Sequence, residues 1–223
     1  MRNDLLNRER IDLAWPDIIG SSVCDESRVV LDYFKEKLEK KEKGFAIDIG
    51  AADGICHNNV FQLFNSPYSW DGISVEANPR FDKQRKTLFE GTGVGVYCGA
   101  ISDKDGIVNM NIIGGKTCGH SSLTNKEGVK VESLTIGTLL ERYKAPEHID
   151  YISLDIEGAE KYVVKNWDFD RYTVEMWCIE RPHEDNLKEF LLEKGYHCLN
   201  PNGKDFNGYK ICHGNTFFVR RKK

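Results

Sequence analysis

The chain carries seven cysteines in 223 residues, yet no two of them stand at C-x-x-C spacing. Cys56-His57, the Cys118/His120 pair and Cys212-His213 put sulfur beside imidazole without the repeated spacing of a zinc site. Reduced, structural thiols are the expectation. Positive charge is not in excess either, since 31 Lys and Arg face 35 Asp and Glu, a formal net charge of -4. That balance leaves no electrostatic footprint for nucleic acid, which is not an expected partner. The basic run Arg220-Arg221-Lys222-Lys223 is short and reads as a solvated end. The opening residues Met1-Arg-Asn-Asp-Leu5 lack the apolar stretch of a secretory signal, and no segment approaches a membrane span. A cytoplasmic protein without a membrane partner follows as an expectation. Repeats and low-complexity segments are missing as well.

What is present suffices for a substantial core, with 40% apolar residues in a chain long enough for one large domain. Residues 1–25 are mixed in character and contain Trp15-Pro16, so they read as an N-terminal arm, and 26–223 as a single domain. From 26 to 43 the spacing of Val29, Val30, Leu31, Tyr33, Phe34 and Leu38 predicts an amphipathic helix capped by Asp25 and ending in the charged turn 39–43. Strand and helix signals then alternate. Strands are predicted at 45–49, 70–76, 94–101, 107–112, 149–155 and 174–180, and helices at 57–64, 79–88, 134–143, 159–166 and 186–194. Two strands, 196–199 and 216–220, close the chain without an intervening helix. This order predicts an α/β fold, a doubly wound and mostly parallel sheet with one antiparallel strand near the C-terminus.

The chemistry concentrates at strand ends. Phe45-Ala-Ile-Asp-Ile-Gly-Ala-Ala-Asp-Gly54 runs from an apolar strand into a Gly-rich turn, and Gly72-Ile-Ser-Val-Glu76 is a second strand ending on a carboxylate. That pairing describes a nucleotide-type pocket at the carboxyl edge of a parallel sheet. Asp48 beside the turn would repel a pyrophosphate but suits a ligand carrying an ammonium and a sulfonium, which favours S-adenosylmethionine over a dinucleotide. Gly50 and Gly54 permit close backbone approach, with Ala51 and Asp53 completing the turn. Glu76 accepts from ribose hydroxyls, with Ala77 and Asn78 beside it. At the end of the third strand, Ala100 and Ile101 would meet the adenine edge through their backbone and Ser102 adds a polar contact. The same stretch also reads as a β-turn leading into Asp103-Lys-Asp-Gly106, and the two readings are compatible.

A second cluster is Asp150-Tyr-Ile-Ser-Leu-Asp-Ile-Glu-Gly-Ala-Glu160. Glu160 belongs with the acids that favour helix N-termini, whereas Asp155 should point into the crevice above the sheet. Glu180 ends the next strand, with His183 three residues on. If the two strands are adjacent and parallel, Asp155 and Glu180 could reach one Mg²⁺ or Mn²⁺ that acidifies a substrate hydroxyl. Alternatively His183 acts alone as general base, or is an exposed loop residue. Gly114-Gly-Lys-Thr117 lacks the upstream glycine of a phosphate loop, because Met110 stands at that spacing. The segment is instead expected to rim the pocket, with Ser121 and Ser122 available to cofactor or substrate.

In this order the motifs resemble the FkbM-type methyltransferases. The resemblance runs from Ser22-Val-Cys-Asp-Glu-Ser27 through Trp70-Asp-Gly-Ile-Ser-Val-Glu-Ala-Asn-Pro79 and Val131-Glu-Ser-Leu-Thr135 to Asn215-Thr-Phe-Phe-Val219, and it is most specific at 149–160. It implies a class I methyltransferase sheet that binds S-adenosylmethionine through Asp48, Gly50, Gly54, Glu76 and Asn78. It also implies O-methylation of a hydroxyl on a sugar, glycan or polyketide-like product. Asp155, Glu180 and His183 would orient and deprotonate the acceptor, with or without a divalent ion. RNA or protein acceptors, and a non-catalytic cofactor-binding module, are the competing readings. At Cys56-His57-Asn58-Asn59 the chain departs from the family's small-hydroxyl pattern. The acceptor pocket is expected from the arm and the loops around His120 and Asn202.

Overall fold

Phe45–Ile49 forms the strand about which the sheet is built, and four of its five residues are buried. The computed structural model describes residues 25–55, 58–112, 121–124, 126–200, 208–211 and 214–221. Helices α1 (Glu26–Tyr33) and α2 (Lys35–Glu39) precede that strand, β1. Then come α3 (Phe61–Phe64), β2 (Asp71–Glu76), α4 (Asp82–Leu88), β3 (Val94–Cys98), β4 (Ala100–Ile101), β5 (Gly106–Asn111), β6 (Ser122–Leu123) and β7 (Val129–Leu134). The chain continues through α5 (Ile136–Arg142), β8 (His148–Leu154), α6 (Glu160–Val164), β9 (Thr173–Glu180), α7 (Leu187–Glu193), β10 (Tyr196–Cys198) and β11 (Asn215–Arg220). Seven strands form one sheet in the order β10-β11-β9-β8-β1-β2-β3, parallel except for β11, which runs antiparallel to both neighbours. This is the doubly wound sheet that the alternation predicts.

Side chains alternate between two cores because successive strand residues face opposite ways. On β9 and β11, Trp177, Ile179 and Phe218 join the layer under α5, α6 and α7, while Met176, Cys178, Phe217 and Val219 join the layer under α1, α2 and α3. Phe34 packs edge-on to Trp70 at 5.3 Å between ring centroids, fixing the N-terminal helices to the sheet.

Three elements differ from expectation. The helix predicted over 26–43 is two, broken at Phe34, and Asp25 makes no side-chain cap; its carboxylate instead accepts from the backbone N–H of Lys210 at 2.9 Å and pairs with Arg28. The helix predicted at 57–64 begins only at Phe61, because Asn58 Oδ1 accepts from the N–H groups of Val60 and Phe61 at 2.9 and 2.7 Å and sets its start. The strand predicted at 94–101 divides at Gly99, where a β-carbon would lie 2.4 Å from the Tyr97 hydroxyl and 2.7 Å from the Glu132 carbonyl oxygen. Past that point β4 leaves the main sheet and pairs in parallel with β7, building a second sheet of order β4-β7-β5-β6. Among the described residues, Cys98, Cys178 and Cys198 form no disulfide. Among the described residues no helix is long and apolar enough to cross a membrane. The arm (apart from Asp25), Cys56-His57, Cys118 and His120, Asn202 and Cys212-His213 lie outside the described residues.

The amino edge of the sheet is tied by Asp150, whose carboxylate accepts from Phe45 N–H at 2.9 Å and from Lys37 Nζ at 2.5 Å. It thereby joins β8, β1 and α2. Asp150→Asn is expected to lower unfolding free energy by about 1.5–3 kcal/mol in urea titrations, the range for hydrogen bonds to a charged group. A change within error of zero would remove Asp150 as a fastening.

Candidate active site

Where β1 ends, the chain turns under β8. Gly50 has φ +96°, and a β-carbon there would lie 1.8 Å from the Asp155 carbonyl oxygen, so this position requires glycine on both grounds. The N–H groups of Gly50 and Ala51 both donate to the Val75 carbonyl at 3.0 and 2.9 Å, seating the turn against β2. Glu76, at the end of β2, accepts from Ala52 N–H at 2.8 Å with one carboxylate oxygen and from Asn78 N–H at 2.7 Å with the other. Beneath them Arg85 of α4 is fully enclosed. It donates to the carbonyls of Ser74, Tyr97 and Glu76 at 2.9, 3.0 and 3.3 Å, joining the ends of β2 and β3.

Asp48 lies one residue before the strand end, 4% exposed, and accepts from Asn58 Nδ2 at 2.5 Å. Burial raises its carboxyl to about 7, against the opposing pull of Asn58 and Arg85. The register sets Asp48 level with Ser74 on one side and Ser153 on the other, all three buried.

These residues line a cleft, open to solvent, at the carboxyl edge of the sheet. Asp48, Gly50, Ala51, Asn58 and Glu76 line it from the ends of β1 and β2 and the turn after β1, and Ser153, Asp155, Ile156 and Glu157 line it from the end of β8 and the loop that follows. Ala77, Ala100, Ile101, Met110 and Leu123 give it an apolar side, to which the second sheet contributes through β4, β5 and β6.

Beyond Asp155 the acids gather. Leu154 is level with Ile179, so Asp155 and Glu180 follow side by side, and oxygens of Asp155, Glu157 and Glu180 lie within 4.8 Å of one another. Asp155 is exposed to the cleft while the other two are half-buried. Crowding by the walls, and then the charge of Glu180, raise the Asp155 carboxyl above its ordinary range. Water still reaches its tip, so the repulsion from Glu180 is the part that persists in the open cleft. Arg181 Nη2 donates to Glu157 at 2.6 Å and to Glu180 at 2.8 Å.

The methyltransferase FkbM domain matches residues 48–198, from Asp48 in β1 to the last residue of β10. The chain belongs to the FkbM methyltransferase family. No curated protein matches its sequence. Solved structures similar to the FkbM chain include a precorrin-6y C5,15-methyltransferase from Geobacter metallireducens, with 14% identity, TM-score 0.44, and coverage of 86% of this chain and 84% of that one. A methyltransferase from Pyrococcus furiosus has 14% identity and TM-score 0.40, over 86% and 83% of the two chains. The 16S rRNA methylase ArmA has 10% identity and TM-score 0.36, over 96% of each. At such identities the likeness is one of fold alone.

Within the FkbM cleft, Asp48, Gly50, Ala51, Glu76, Ala77, Ala100, Ile101 and Asp155 lie on the lining, where the sequence puts them. Others do not. Asp53 turns back to accept from Ile55 N–H at 2.9 Å, and Gly54 packs below the turn, where a β-carbon would meet Leu88 at 3.0 Å. Asn78 is buried and caps the turn Pro79–Phe81. Ser102 donates its hydroxyl to the Lys104 carbonyl at 2.8 Å, the turn reading of that stretch, and Ser121 rather than Ser122 reaches the lining. His183 is exposed after Pro182, with no hydrogen bond or ion pair to the acids among the described residues. Glu160 accepts from the N–H groups of Ile156 and Gly158 at 2.9 and 3.0 Å, the helix-start role expected of it. Asn58, Met110 and Arg181 were not singled out, and only Asn58, inside the departing Cys56-His57-Asn58-Asn59 stretch, had a sequence signal.

Folded FkbM chain holds the Asp48 proton up to about pH 7, whereas the unfolded chain releases it near pH 4. The native state therefore binds more protons across that interval, and stability falls as pH rises through it. Compared with Asp48→Asn by urea unfolding, the wild type should lose roughly 3 kcal/mol between the ends of the interval. Parallel pH profiles for the two proteins would contradict a proton-holding Asp48.

Proposed function

We propose that the chain transfers the methyl group of S-adenosylmethionine to a hydroxyl of a sugar or glycan. The observation that carries the reading is a single cleft lined by Asp48, Glu76, the Gly-rich turn and Asp155. The residues suit that donor. Glu76 keeps lone pairs for two vicinal hydroxyls after accepting from Ala52 and Asn78. Asp48 offers negative charge to an ammonium, which would draw it into the ionised form. Ala100, Ile101, Met110 and Leu123 offer apolar surface to a purine.

When bound, the donor supplies an electrophilic methyl carbon whose bonding pair stays on sulfur as the new carbon–oxygen bond forms. Asp155 orients the acceptor hydroxyl and receives its proton. A raised pKa suits a base that works near neutral pH. Holding the acceptor oxygen in line for attack is the larger share of the task, and the fixed strand ends provide the frame. A divalent ion between Asp155 and Glu180 would meet the Arg181 guanidinium already bound to Glu180 and Glu157, so these residues do not suit Mg²⁺ or Mn²⁺ and no step runs through a metal. The sugar or glycan acceptor rests on the family resemblance and on carboxylates that can accept from neighbouring hydroxyls. The acidic mouth works against a polyanionic RNA acceptor.

Labelled methyl transfer to a panel of sugars, glycans, polyketide-like alcohols and RNA tests the acceptor, with turnover confined to RNA overturning it. Asp155→Asn should lower kcat by about 10²–10⁴-fold with donor affinity nearly unchanged in calorimetry. Glu76→Ala should weaken donor binding by about 1–3 kcal/mol. Full turnover by Asp155→Asn would remove that residue as the base.

A further inference from the structure

Arg181 follows β9 directly and sits at φ +47°, in the left-handed region where non-glycine residues are uncommon. Glu157, its partner across the rim, sits at φ +56°. Two strained residues from different loops thus meet in one ion pair of 2.6 Å, and the same Nη2 reaches Glu180 at 2.8 Å. The arginine is held from behind as well. Its N–H donates to the Gly214 carbonyl at 2.8 Å, and Gly214, at φ +109°, lies so close that a β-carbon there would be 3.3 Å from Arg181 Cγ. The loop after β8, the end of β9 and the approach to β11 therefore all fix one side chain.

Three carboxylates whose oxygens lie within 4.8 Å of one another could together hold a divalent cation with hard oxygen ligands. One guanidinium nitrogen bridges two of the three. Its charge cannot be removed by deprotonation near neutral pH, and its donors are planar and fixed. Resting on the reading that Asp155 serves the acceptor hydroxyl, we propose that Arg181 takes the place of a divalent cation at this centre. It is a positioning residue that neutralises Glu157 and Glu180 and leaves Asp155 as the carboxylate facing the acceptor. Methyl transfer by this chain then needs no metal, and loss of the arginine opens a metal site.

The test uses the full chain, with Arg181→Ala, Arg181→Lys and the double variant Arg181→Ala/Glu180→Gln. Mn²⁺ is titrated with neither donor nor acceptor present, and free ion is followed by electron paramagnetic resonance. Arg181→Ala is expected to bind Mn²⁺ at least about tenfold more tightly than wild type, since a unit positive charge is removed from the centre. The double variant should lose that gain, and Arg181→Lys should resemble wild type. In methyl transfer, wild-type turnover should be unaffected by chelator. Arg181→Ala should lose at least about tenfold in kcat at little change in donor KM, with partial recovery on adding guanidinium ion or Mn²⁺. Wild type binding Mn²⁺ as tightly as Arg181→Ala, or losing turnover to chelator, overturns the proposal. If Arg181→Ala does not fold, Arg181→Gln carries the same two measurements. The Mn²⁺ titration needs no acceptor, so a chain inactive on every hydroxyl would sink the functional reading while leaving the cation exclusion decided separately.

Discussion

Carboxylates crowd the carboxyl ends of four neighbouring strands, and the rest of the site depends on how their repulsion is offset. Asp48, Glu76 and Glu180 belong to β1, β2 and β9, and Asp155 directly follows β8; these four strands are contiguous in the sheet. At an effective dielectric near 20, two like charges about 4 Å apart repel by about 4 kcal/mol, far more than an exposed ion pair returns. Three devices reduce that load. Asp48 keeps its proton, Arg85 lies under the β2–β3 side, and Arg181 spans the β8–β9 side. The two arginines differ in kind. Arg85 is buried among backbone carbonyls and serves the sheet, while Arg181 stands at the rim, paired with Glu157 and Glu180.

The main sheet was legible in the sequence because its strands are continuous apolar runs ending on polar residues, and a strand buried on both faces reads that way. The residues at those ends were legible for the same reason, since direction alone puts the last residue of a parallel strand in the crevice. The second sheet was not. Its strands are short, and β7 reads Val129-Lys-Val-Glu-Ser-Leu134, whose exposed, polar-interrupted first half lacks the continuous apolar run that marks the main sheet. The break at Gly99 depends on contact with Glu132, more than thirty residues away, which no local pattern reveals. Arg85 sits in Asp82-Lys-Gln-Arg-Lys-Thr-Leu88, a stretch that reads as a solvated helix face, yet its guanidinium is the most enclosed charge there. Arg181 and His183 are two residues apart in a turn, and only the strain at Arg181 and its ties to Glu157 and Gly214 separate the engaged residue from the exposed one.

The bounds of the FkbM match and the bounds of the folded unit differ. The match ends before β11, yet β11 lies between β10 and β9 and supplies Phe217 and Phe218 to opposite cores. It also brings Gly214 against Arg181. At the other end, α1 precedes the match but docks on β9 and on the first residue of β11, through Tyr33 to Glu175 at 2.6 Å and Asn215 to Glu26 at 3.0 Å. The stretch that carries the recognisable chemistry is thus completed by segments that carry none of it.

The cleft's acidic wall and its apolar wall belong to different sheets. Asp48, Glu76 and Asp155 are borne by the seven-stranded sheet, whereas Met110 and Leu123 are borne by the four-stranded one, joined to the first through the turn at Gly99. Side chains on β5 and β6 can therefore be exchanged without disturbing the register that aligns the carboxylates. The shape of the cavity and the chemistry at its floor are mechanically separate variables, so one can drift across related sequences while the other stays fixed.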